Sequence, residues 1–97
     1  MIRVILTTVG KKAEAIKLAK ALVVKKLAGC VSVLPGVTSV YQWKKKLETS
    51  AEVQLIIKTS KVGAVEKFFK GNHPYELPEF VVLSAEASKK YERWLNG

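Results

Sequence analysis

The 97-residue chain has no aspartate, one cysteine, one histidine, one methionine and three prolines. A single cysteine excludes a disulfide scaffold and a multi-cysteine zinc cage. A single histidine excludes a His-rich metal cage built from one chain. Without aspartate, only a glutamate can orient a Ser-His pair. No apolar run approaches the roughly 20 residues of a membrane span, and the first segment is strand-like and lacks signal-peptide architecture, so the expected location is the cytoplasm. GxSxG, P-loop, GxGxxG, HExxH and CxxC motifs are all missing, which points away from an enzyme.

What is abundant is positive charge. Seventeen basic residues face eight glutamates, a formal +9, while 48% hydrophobic and 26% charged residues are ordinary for a folded domain. The imbalance is uneven: residues 1–50 carry ten basic and two acidic residues, residues 51–97 seven and six. A basic half raises a nucleic-acid partner. Yet the expected central strands, Ile-Arg-Val-Ile-Leu and Gln-Leu-Ile-Ile-Lys, have no aromatic platform for bases, and the lysines of the first helix read as a solvated face. No nucleic-acid or membrane partner is expected. Scarce Asn and Gln beside abundant Lys and Glu fit a heat-adapted composition.

Residues 2–8 read as a strand. A helix follows over about 11–27, with Ala13, Ile16, Ala19, Leu22, Val23 and Leu27 as its apolar face and Gly29 as its left-handed cap. A second strand occupies 30–43, interrupted by a turn or bulge at Pro35-Gly36. Lys44-Lys45-Lys46 marks a hairpin tip, and a third strand runs over about 51–59. A second helix covers about 61–70, capped by Ser60. A strand at 80–86 and a short helix capped by Ser88 end the chain. This is one domain over 1–97, an α+β, ferredoxin-like βαββαβ fold: an antiparallel sheet with two helices on one face plus a C-terminal helix. Strand 30–43 far exceeds the usual 5–6 residues and carries Tyr41 and Trp43 beyond any core of its own, so a homo-oligomer is expected.

Among single residues, Cys30 reads either as a small buried hydrophobe or as a soft metal ligand. His73, before Pro74 and near Tyr75, Glu76 and Glu79, reads either as a loop residue bonded to backbone or as a ligand in a rigid polar site. Lys58 either snorkels from its strand or offers a fixed cation, with Glu52 on the same strand face.

Leu27-Ala28-Gly29-Cys30-Val31-Ser32-Val33, Leu34-Pro35-Gly36-Val37, Ser39-Val40-Tyr41-Gln42-Trp43, Glu52 through Thr59, His73-Pro74-Tyr75-Glu76-Leu77-Pro78-Glu79 and Tyr91-Glu92-Arg93-Trp94-Leu95 together resemble the CutA divalent-cation tolerance family. The resemblance implies a homotrimer like that of the PII signalling proteins, with the long hairpin extending onto a neighbour. It also implies a role in metal response, with copper or another divalent cation as a ligand that is not obligatory for the fold. Clefts between subunits would gather Tyr41, Trp43, Glu52, Lys58, Tyr75, Glu76 and Glu79, with His73 and Cys30 as metal ligands. Here Trp43-Lys44-Lys45-Lys46 replaces the family's usual Trp-x-Gly-Lys turn, and one imidazole stands before Pro74 where some members have two. A PII-like module that binds a small anion or a protein partner without metal is the alternative.

Overall fold

The computed structural model describes residues 1–97. Its elements are β1 (Ile2–Val9), α1 (Lys12–Val24), β2 (Cys30–Trp43), β3 (Lys46–Thr59), α2 (Val62–Phe69), β4 (Val81–Ala85) and α3 (Lys89–Leu95). The four strands form one antiparallel sheet in the order β2-β3-β1-β4, the α+β arrangement expected.

Alternation along the strands divides the sheet into two faces. Ile5, Val9, Val53, Leu55 and Ile57 point to one face and are buried against Ala15, Leu18, Ala19 and Leu22 of α1 and Val65 and Phe69 of α2. Each fully buried Leu or Ile contributes about 1.5–3 kcal/mol relative to exposure. The other face has no helix across its middle. It presents Val4, Leu6, Leu34, Ile56, Val81 and Leu83, of which Leu34, Val81 and Leu83 are exposed.

Helix α1 is rotated from its expected face. Its buried residues are Ala15, Leu18, Ala19 and Leu22, whereas Ile16 and Val23 are exposed. Two helical stripes compete in this alanine- and valine-rich segment, and the sheet takes the one that brings in both leucines. The helix also stops three residues early. Lys26 adopts φ 59°, its N–H donates to the Val23 carbonyl (3.0 Å), and Leu27 N–H donates to that of Leu22 (2.9 Å). This is a Schellman closure with lysine in the position that favours glycine, so Gly29 is not the cap. Lys26→Gly is expected to raise stability by about 0.5–1 kcal/mol, measured by denaturant unfolding.

Gly29 instead permits a close approach. A Cβ there would stand 2.7 Å from Leu95 Cγ and would collide with the Leu95 carbonyl, so α3 lies directly over the start of β2. The start of α2 is likewise held by a different residue than expected. Buried Thr59, not Ser60, accepts the Lys61 N–H (2.9 Å) while donating its hydroxyl to Leu27 O (2.6 Å). Ser88 caps α3, accepting the Tyr91 N–H.

The hairpin is longer than the sequence pattern indicates. Strand β3 begins at Lys46, not near residue 51, because Trp43 pairs with Lys46 across a two-residue turn. That turn holds Lys44 at φ 52° and Lys45 at φ 66°. Both residues of such a turn require positive φ, which favours Asn-Gly and costs other side chains about 1–2 kcal/mol each. Register shifts by one residue between Leu34 and Val37. Gly36 at φ 83° supplies this bulge. Beyond it β2 and β3 leave the core as a two-stranded arm, and the molecule measures 45 × 24 × 23 Å.

Candidate functional site

The segment after α2 folds back over the end of β1. Asn72 Nδ2 donates to Phe68 O (2.8 Å), and the His73 N–H donates to Phe69 O (3.0 Å). This inserts the His73 ring between Phe69 and Tyr75, with centroids 5.1 and 5.4 Å away. His73 is only 8% exposed. Its Nδ1 accepts the Tyr75 backbone N–H (3.1 Å), so in the neutral ring the proton sits on Nε2 and is donated to Thr7 Oγ1 (3.0 Å). Burial lowers the His73 pKa below its ordinary value, against smaller opposing effects from Thr8 and Glu14.

Tyr75 passes beside Gly10 at the end of β1, and its hydroxyl donates to Glu52 Oε2 (2.6 Å). Glu52 is buried. Burial alone pushes its carboxyl up, but hydrogen bonds from Tyr75, Ser39 and Thr8 outweigh that and hold it below the ordinary value. Burial, then the neighbouring carboxylate, pushes the Tyr75 phenol well above its ordinary range. The result is an anion fixed among hydroxyl donors, linked through Tyr75 to a neutral imidazole.

The remaining expected site residues lie elsewhere on the chain. Lys58 and Cys30 are directly opposite each other in the β2–β3 register, on the face away from α1 and α2. Lys58 Nζ donates to Tyr91 Oη of α3 (3.2 Å), which raises its pKa despite some desolvation. Glu52 and Lys58 share a face, but six residues of strand separate them by about 20 Å, so they are not a pair. Tyr41 and Trp43 lie on the arm, where the Tyr41 hydroxyl meets Ser50 Oγ (2.8 Å). Glu76 is exposed and Glu79 half-buried in the loop after Tyr75. One chain therefore joins Glu52, His73 and Tyr75 with Thr7, Thr8 and Ser39. It keeps Lys58 with Cys30 at the other end of the sheet. The hydroxyl partners Thr7 and Thr8 carry no motif of their own.

A metal ion does not fit the donor set of one chain. Both His73 nitrogens are engaged, Cys30 lies on the opposite sheet face, and no three His, Cys or Glu side chains converge. No helix is long and apolar enough to cross a membrane.

An antiparallel sheet backed by two helices, with a polar cluster at one end and a projecting arm, defines a ferredoxin-like α+β protein. The family model described as CutA1 divalent ion tolerance protein matches residues 3–97, and the chain belongs to that family. It is 44% identical over 96 residues to the divalent-cation tolerance protein CutA of Yersinia pestis (strain Pestoides F), covering 96% of this chain and 81% of that protein. Among solved structures, the divalent cation tolerance protein of Thermus thermophilus superposes with a TM-score of 0.93 at 39% identity, covering 98% of this chain and 95% of that one. CutA from Synechococcus elongatus PCC7942 gives 0.92 at 38% identity, with coverages of 97% and 86%.

Proposed function

We propose that the protein is a non-enzymatic, homotrimeric divalent-cation response protein of the cytoplasm, with its ligand cleft between subunits. The observation that carries the assembly is the apolar sheet face with no helix across its middle, which continues into a long arm with exposed Val40, Tyr41, Trp43 and Leu47. Exposed apolar surface continuous with free strand edges is what a second copy covers. A trimer also gives scattered residues a way to meet: the arm of one subunit brings Tyr41 and Trp43 to a neighbour's Glu52, Tyr75 and Glu76. The half-buried free thiol of Cys30 fits a reducing compartment. The absence of catalysis is supported by the Thr7–His73 contact, where the imidazole donates its proton and so cannot act as a base toward the hydroxyl.

Copper or another divalent cation is the proposed ligand, bound only in the assembled state, with carboxylates from the cleft as donors and His73 or Cys30 recruited by rearrangement. Sedimentation equilibrium is expected to give three times the chain mass. Copper(II) titration of the wild type and His73→Ala is expected to give weaker binding in the variant. Equal binding in both removes His73 from the ligand set.

Lys58 favours a second reading. Its ammonium is held charged by Tyr91 of α3, on the sheet face opposite α1 and α2, where it is available to a small anion in a PII-like module. A thermal-shift screen of nucleotides and carboxylates separates the two readings, since only the second gives stabilisation without metal.

A further inference from the structure

On the helical side of the sheet, a groove of about 270 Å³ lies between α1 and the turn that follows α2. Pockets for drug-sized ligands run to roughly 300–1,000 Å³, so this one suits a molecule the size of an amino acid. Residues 14, 17, 18 and 21 of α1 stand at three- and four-residue steps and share one side of the helix. Leu18 and Ala21 make the groove apolar there, and Phe68 and Pro74 line it from across. Two charges of opposite sign, Glu14 and Lys17, complete the α1 wall.

The fold uses neither charge. The chain's one ion pair joins the Met1 amino group to Glu92 (3.0 Å). Glu14 and Lys17 therefore pair neither with each other nor with a neighbour, although three residues is a spacing at which helical ion pairs form. Lys17 is exposed, and Glu14 is half-buried. The Glu14 charge acts on both His73 and Tyr75, which sets its carboxylate toward the loop. Two further features there attract a cation. The wall at Gly71 and Asn72 is the C-terminal end of α2, the negative pole of a helix. Asn72 Nδ2 is committed to Phe68 O, which leaves its Oδ1 free to accept. Side chains three apart on a helix have Cβ atoms about 5–6 Å from each other, close enough for one small molecule carrying both charges to bridge them.

The geometry points to this groove as a binding site for a free α-amino acid with an apolar side chain. Its ammonium meets Glu14 and Asn72 Oδ1, its carboxylate meets Lys17, and its side chain lies on Leu18, Ala21 and Phe68. The site is built within one chain, on the sheet face opposite the one an assembly would cover, so it depends on neither the trimer nor a metal. His73 also lines the groove, and as the chain's one histidine it supplies a single set of ring resonances that report occupancy.

L-leucine and L-phenylalanine are the probes, titrated into the wild type by NMR and calorimetry. The controls are glycine, which lacks the side chain, the two amino-acid amides, which lack the carboxylate, and the two deaminated acids, which lack the ammonium. At least one probe is expected to shift the His73 ring signals saturably below about 10 mM, and every control to bind at least tenfold more weakly. These comparisons need no variant to fold. Glu14→Gln and Lys17→Gln are each expected to weaken the probe at least tenfold. Absence of binding by both probes up to about 10 mM overturns the site. An amide or a deaminated acid that binds as tightly as its parent overturns the recognition of both charges. Unchanged binding in both variants, with far-UV circular dichroism intact, places the probe elsewhere and overturns the assignment.

Discussion

Gly29→Ala is expected to lower stability by about 2–4 kcal/mol, the upper part of the range for forcing extra volume into a packed site. The added Cβ would meet the carbonyl and side chain of Leu95 at the end of α3. A side chain can rotate away from such a collision, but a backbone carbonyl can move only with its helix. Helix α3 must therefore lift, exposing the buried Leu95 and withdrawing Tyr91 from Lys58 Nζ. The Gly29 N–H also donates to Lys58 O (3.1 Å), so the disturbance reaches the first pair of the β2–β3 ladder. Denaturant unfolding followed by tryptophan fluorescence measures the loss, because exposed Trp94 lies on the displaced helix. A loss below 1 kcal/mol would mean that α3 is only loosely held.

His73→Ala is expected to cost a similar amount, about 2–4 kcal/mol, through a cavity and two abandoned hydrogen bonds. The ring fills the space between Phe69 and Tyr75, and without it the Tyr75 N–H and the Thr7 hydroxyl lose their partners. The same residue gives stability a pH dependence. Its folded pKa lies below the ordinary 6.5, so the unfolded chain takes up a proton that the folded chain resists. The stability due to neutral His73 is therefore complete above pH 6.5 and is lost as pH falls from there toward the folded pKa, at up to about 1.4 kcal/mol per pH unit. His73 is the chain's one histidine, so no other imidazole contributes. Unfolding of wild type and His73→Gln between pH 5 and 7.5 is expected to show this slope only in the wild type. An identical slope in both would assign it to carboxylates.

The order of elements, the sheet and the bulge at Gly36 were legible because each has a short-range cause: alternation, helical period, or a Pro-Gly pair. Two features were hidden by competition. In α1 two apolar stripes have the same period, and only the sheet decides between Leu18 and Ile16. At the arm, lysines look like loop residues, yet they form a two-residue turn and extend β3 by five residues. The site was legible in part. His73, Tyr75 and Glu52 lie within one family-like pattern, but Thr7 is 66 positions from His73 and is one of many hydroxyl residues. Lys58 and Glu52 share a face by parity, a rule that gives direction and says nothing of the distance between them.

The arm also bears on the order of folding. Its two strands are neighbours in sequence and joined by the shortest common turn, so their closure carries little loop entropy and hairpins of this kind form in about 1–10 μs. The β1–β3 pairing joins Arg3 to Thr59 and must wait for more than fifty residues to be brought together. The nascent chain is therefore expected to zip from Lys44-Lys45 toward the bulge before a core exists. A slip of one residue at the tip would turn Val31 and Val33 to the wrong face of the sheet. The lysine turn thus acts as the register mark from which the rest of the sheet is counted.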